Sequence, residues 1–154
     1  MPIRLMSRAE DESDCLKNSV SCLNLYFEGS ERKLGIMPKR ILIAEDDPGH
    51  REIITTFAKR QGYDVVVVTD GVDLLTTYAT ERFDLIITDL MMANLNGASA
   101  TEIMKMQGNT VPIIALTALS PKDIHLVEEN FTKIYHKPCD YKKLFEYVES
   151  LIGT

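Results

Sequence analysis

The chain has 154 residues, of which 45% are hydrophobic and 26% charged, enough for one domain with a sizeable core and leaving little room for a second. Its formal net charge is -6 and its basic residues fall singly or in pairs, which speaks against a nucleic-acid face or binding to anionic lipid. No apolar run approaches the roughly 18 residues of a membrane span, and the start lacks a charged segment followed by an apolar one, so the chain reads as cytoplasmic with no membrane partner.

In chain order, residues 1–36 carry mixed charges without a sustained helical or strand period, and read as a flexible leader or tag. Within them "NLYFEGS" (24–30) is similar to an engineered viral-protease cleavage tag with Glu28 in place of its Gln, a native leader being the other reading. The three cysteines, Cys15, Cys22 and Cys139, are odd in number and lack metal-like spacing, so plain reduced thiols are expected. From Met37, which looks like a second start, the pattern becomes regular, and 37–154 is taken as the domain. Strands are predicted at "RILIAE", "DVVVVT", "DLIITD", "PIIALT" and "KIYH", short Ile- and Val-rich runs of the kind buried in parallel sheets. Between the first two, His50, Ile53, Ile54, Phe57 and Ala58 repeat at helical spacing, with Asp47 as N-cap, Pro48 as first helical residue and Gly62 as the left-handed stop. A second signposted helix is expected over 121–130, with Ser120 as N-cap, Pro121 in the first turn and Asp123 at the capping-box position. The last helix is announced by the apolar stripe Tyr141, Leu144, Phe145, Val148, Leu151 and Ile152 before Gly153.

Strict alternation of strand and helix implies an α/β fold, a doubly wound five-stranded parallel sheet with right-handed crossovers and helices on both faces. With strand order 2-1-3-4-5, the strand ends flank one crevice where ligands bind in such sheets. Those ends carry Glu45, Asp46 and Asp47 after the first strand, Thr88 and Asp89 on the third, Thr117 and Ala118 on the fourth, and Lys137 with Pro138 after the fifth. Read one at a time these are ordinary turn, strand and surface residues, and Asp47 is best explained as a helix cap. Read together they are chemistry: converging carboxylates repel unless a proton, solvent or a cation intervenes, and Mg²⁺ prefers such oxygen ligands. A lysine and a hydroxyl opposite that cluster suit phosphoryl transfer, with Asp89 as nucleophile and Lys137 and Thr117 stabilising the transferred group.

At these residues the chain resembles the receiver domain of two-component response regulators, a flavodoxin-like, chemotaxis-regulator-like domain. The resemblance runs from Pro38 to Gly153 and is carried by "ILIAEDDP", "DLIITDLMMANLNG", "PIIALTA" and "HKP", in register. It implies phosphorylation of Asp89, Mg²⁺ bound through Asp46, Asp89 and the Met91 carbonyl with Glu45 helping through water, a phosphoryl-binding place beside Ala118, and a cis Lys137–Pro138 bond. It also implies a histidine kinase or phosphotransfer protein as donor, and a downstream target, an output domain or a second copy meeting the 121–153 face. Two departures stand out. Ala93 occupies a place where the family often has Pro, and Ile134 stands where it usually has a switch aromatic; Tyr135, adjacent, points to the other face by strand alternation.

Two further classes fit these residues less well. A metal-dependent phosphohydrolase with an aspartyl nucleophile wants an acid two residues past Asp89, where Met91 stands. A flavin- or nucleotide-binding module wants a Gly- or Ser/Thr-rich loop after the first strand, where three acids stand. A phosphoryl-accepting switch is therefore expected, with no enzymatic turnover of a separate substrate. Met91 and Leu119, apolar and flanking the site, predict a slowly hydrolysing acyl phosphate, since neither can orient water.

Overall fold

The structure, a computed structural model, describes residues 37–154. The leader or tag expected over 1–36, with Cys15 and Cys22, lies outside the described residues. Five strands and five helices alternate: β1 (Arg40–Ala44), α1 (Pro48–Arg60), β2 (Asp64–Val68), α2 (Gly71–Thr80), β3 (Leu85–Asp89), α3 (Gly97–Met106), β4 (Ile113–Thr117), α4 (Pro121–Ile124), β5 (Lys133–His136) and α5 (Tyr141–Ile152). All pairings are parallel and the order is β2-β1-β3-β4-β5, the order expected.

Because strand side chains alternate in direction, β1 and β3 feed both faces of the sheet. Ile41, Ile43, Leu85 and Ile87 pack on one side with Ile54 and Ala58 of α1 and Leu144, Phe145 and Val148 of α5. Leu42, Ala44 and Ile86 pack on the other with Leu74 of α2 and Ala100 and Met104 of α3. Among the described residues no helix is long and apolar enough to cross a membrane.

Local signals explain most boundaries. The Asp47 carboxylate accepts the His50 N–H at 2.8 Å, Pro48 opens α1, and Gly62 follows its last turn at φ +90°. The stripe on α1 is narrower than its spacing predicts: Ile54 and Ala58 are buried, whereas Ile53 is 43% exposed. On α5 the Asp140 carboxylate receives the N–H groups of Lys142 and Lys143, and Gly153 ends the helix at φ +72°.

The helix expected over 121–130 is corrected. Only Pro121–Ile124 is α-helical, followed by turns and a 3₁₀ turn at Glu128–Asn130. Beyond that one turn the backbone bonds span three residues, Val127 to Ile124, Asn130 to Val127 and Phe131 to Glu128. The Ser120 hydroxyl donates to the Asp123 carboxylate at 2.6 Å instead of capping the backbone. Glu128 and Glu129 would sit at the negative end of a longer helix, which the macrodipole disfavours. The His125 ring Nδ1 also takes up the Lys122 carbonyl, a group that a continuing helix would need.

Candidate functional site

The register aligns the strand ends at one edge, with Ala44 beside Thr88, Asp89 beside Leu116 and Thr117 beside His136. Glu45 and Asp46 lie just past β1, next to Asp89 at the end of β3. A carboxylate oxygen from each of Glu45, Asp46 and Asp89 lies within 4.8 Å of the other two. Glu45 is 1% and Asp89 7% exposed, while Asp46 opens to solvent.

Lys137 answers two of the three acids. Its Nζ donates to Glu45 Oε2 and to Asp89 Oδ2, each at 2.7 Å, with the lysine side chain itself buried. The cis Lys137–Pro138 bond follows directly, and the Lys137 N–H donates to the Thr117 carbonyl at 2.8 Å. Burial raises the Glu45 carboxyl above its ordinary range, against the opposing pull of Lys137. Burial pulls the Lys137 ammonium down, but the hydrogen bonds and charges of Asp89 and Glu45 outweigh it, so its net shift is upward. One ammonium for three carboxylates leaves a formal charge of about -2, the deficit a divalent cation offsets.

The backbone completes the cradle. Met91 N–H donates to Asp89 Oδ1 at 3.0 Å and Asp47 N–H to Glu45 Oε1 at 3.2 Å, so both buried carboxylates have an amide partner besides the lysine. Thr117 is fully buried, and its hydroxyl oxygen accepts the Leu119 N–H at 3.0 Å. That bond leaves the hydroxyl proton free to be donated elsewhere. Ala118, the next residue, is exposed beyond the strand end. The Met91 side chain, 58% exposed and a thioether, offers no acid to a leaving group, which disfavours the phosphohydrolase reading.

The structure thus brings together Glu45, Asp46, Asp89 and Lys137, and sets Thr117 on the neighbouring strand with its hydroxyl turned to its own backbone. It also shows residues that sequence reasoning missed. Arg51 Nη1 donates to the carbonyls of Glu45 and Asp46 at 3.1 and 3.0 Å, pinning the acidic turn. Gly97 begins α3 so close under Asp89 that a Cβ there would lie 1.9 Å from the Asp89 carbonyl oxygen and 2.6 Å from Thr88 Oγ1. The signal available for Gly97 was the glycine closing "NLNG"; for Arg51, an exposed-looking basic residue on a helix, no sequence signal separated it from its neighbours.

Comparison with known proteins agrees with this geometry. The model of the response regulator receiver domain matches residues 41–149. Transcription factor SKN7 of Saccharomyces cerevisiae is 39% identical over 77 residues, 50% of this chain and 12% of that protein. Hybrid signal transduction histidine kinase I of Dictyostelium discoideum is 29% identical over 146 residues, 88% of this chain and 8% of that protein. The chain therefore spans about a tenth of the length of these curated relatives. Among solved structures, the receiver domain of sensor histidine kinase PA1611 from Pseudomonas aeruginosa PAO1, with a magnesium ion coordinated in its active site cleft, superposes with a TM-score of 0.70 at 30% identity, covering 77% of this chain and 100% of that one.

Proposed function

This chain belongs to the response regulator receiver domain family and serves phosphorelay signal transduction, and from that premise we propose that Asp89 takes the phosphoryl group. The observation that carries the reading is the buried Lys137 ammonium shared between Asp89 and Glu45 at 2.7 Å, beside a third acid. Glu45, Asp46 and Asp89, with the Met91 carbonyl, are the residues that would hold Mg²⁺. When bound, the ion offsets charge on the phosphoryl oxygens.

The chain's own groups do the rest. An Asp89 carboxylate oxygen attacks phosphorus in line; the new O–P bond makes an acyl phosphate as the P–N bond to a phosphohistidine donor breaks, and the donor ring, protonated on its other nitrogen, leaves with the bonding pair as neutral imidazole. The Met91 N–H holds the carboxylate in place beforehand. Lys137 stays beside the incoming negative charge, and the Thr117 hydroxyl donates its free proton to a phosphoryl oxygen on the Ala118 side. The domain in this way catalyses its own phosphorylation and acts on no second substrate.

The donor is a histidine kinase or phosphotransfer protein. For output, turning Thr117 releases the Leu119 N–H, and Leu119 packs, as do Val127, Phe131 and Ile134, against the buried cluster of Leu90, Ala115 and Ile124. That cluster floors an open groove of about 560 Å³ beside β5, lined by Pro121, Ile124, Phe131 and Ile134 among others. A downstream target, an output domain or a second copy docking on the 121–153 face would read the change. The cytoplasmic location expected from the sequence goes with this reading.

Intact-mass spectrometry after incubation with acetyl phosphate tests the proposal. One phosphoryl group per chain is expected, dependent on Mg²⁺ and absent in Asp89→Asn; continuous phosphate release without an adduct would instead mark a hydrolase. The adduct should be long-lived, because Met91 and Leu119 offer no side-chain hydrogen bond to water. Met91→Asn should shorten its lifetime, and an unchanged lifetime would refute that part.

A further inference from the structure

Loop 90–96, which connects the nucleophile to α3, is held at its far side by another element. Asn94 sits at φ +62°, in the left-handed region that Asn tolerates better than most residues, and its Nδ2 donates to Asp70 Oδ2 at 2.9 Å. The other oxygen of Asp70 caps α2, accepting the N–H groups of Val72 and Asp73, each at 2.9 Å. Beside this bridge the Gly71 N–H donates to the Leu95 carbonyl at 2.9 Å, and a Cβ on Gly71 would stand 2.3 Å from that same oxygen. At the near side the Gly97 N–H donates to the Leu90 carbonyl at 3.2 Å and the Met91 N–H to Asp89.

One carboxylate therefore starts a helix with one oxygen and holds the catalytic loop with the other. We infer that Asp70 and Asn94 are a positioning pair, which fixes loop 90–96 so that the Met91 main chain stays against the acidic cluster. The inference rests on the proposed metal-assisted phosphoryl transfer. Neither residue touches the reacting groups; they act through the loop. Hydrogen bonds from Asp73 and Asn94 also hold the Asp70 carboxyl below its usual range, so it accepts as an anion at neutral pH.

The chemistry of the pair allows a test that separates positioning from folding. Asp70→Ser keeps a side-chain oxygen to cap α2, but it has no second oxygen to accept from Asn94 Nδ2, so the bridge is lost. Exchanging the two side chains, Asp70→Asn with Asn94→Asp, reverses donor and acceptor and restores the bridge, with an Asp that also tolerates the left-handed region. Two readouts apply to the full chain: Mg²⁺ affinity by calorimetry, and NMR amide exchange of Met91 and Gly71 without metal. In Asp70→Ser both amides should exchange faster and Mg²⁺ binding should weaken by about tenfold, the low end of what losing an outer-shell partner does to metal affinity. The double variant should recover both, while the unfolding midpoints of parent, single and double variants stay close. Parental exchange in the single variant, no recovery in the double, or affinities that follow the unfolding midpoints would overturn the inference. A parent that takes up no Mg²⁺ would refute the metal reading alone, and the exchange rates would still decide the pair.

Discussion

Lys137 is the residue on which the buried charges depend. Replacing it by Met leaves Glu45 and Asp89 in a buried place with no cation, a change that costs about 3–5 kcal/mol when one partner of a buried pair is removed. Urea unfolding of metal-free Lys137→Met should show a loss of that size, and added Mg²⁺ should return part of it. Tyr63 presents the opposite case. It is buried, its hydroxyl has no partner among the described residues, and burial, with the nearby Glu149 charge, pushes its pKa up to about 12. The unfolded chain ionises a tyrosine near pH 10. Between roughly pH 10 and 12 the unfolded state therefore holds fewer protons, and stability falls as pH rises through that window. Lys137, also held above its ordinary value, contributes a fall of the same sign in alkali. Tyr63→Phe should flatten part of this decline and gain about 1 kcal/mol at neutral pH by removing an unpaired hydroxyl, as thermal unfolding at a series of pH values would show. Reactive side chains were legible in the sequence because a carboxylate trio, a Thr and a Lys at strand ends are chemically unusual together. Arg51, Asp70 and Asn94 were not, because they act on backbone groups that only folding brings within reach.

Strands were the most legible elements: five short Ile- and Val-rich runs have no other way to bury both faces. The stretch 121–131 was the least. Ile124, Val127 and Phe131 are spaced three and four apart, which suits an α-helix, yet an i-to-i+3 winding also brings Ile124 and Val127 to one side. Two Glu residues late in the stretch and a histidine on the Lys122 carbonyl tip the balance toward short turns. Such turns have poorer hydrogen bonds than the 12-residue α5, whose Leu144, Phe145 and Val148 are buried. Hydrogen-exchange mass spectrometry should therefore find the 121–131 segment far less protected than α5. Equal protection would mean that the output face is not the easily remodelled element that a switch requires. Ile134, in place of an aromatic, packs with Leu90, Ala115 and Ile124 in the same cluster, so this face is held together by aliphatic contacts and Phe131.

At the scale of the molecule, the sheet order puts β1 and β3 side by side at its centre, and that adjacency converts two separate acidic motifs into one pocket. Alternation of strand and helix was enough to foresee a parallel, doubly wound sheet, whereas the order 2-1-3-4-5 that makes β1 and β3 neighbours is one of two common in such sheets. What the chain passes its signal to was not legible, because a receiver of this length is a small part of the curated relatives it matches. On the proposed function, one side chain in this pocket becomes an acyl phosphate. Treating the phosphorylated protein with borohydride reduces an acyl phosphate to the alcohol, and peptide mass mapping then reads its position. Conversion of Asp89 to homoserine, with Glu45 and Asp46 unchanged, is the predicted result; conversion at either of those acids, or at none in a protein that carries phosphate, would contradict it.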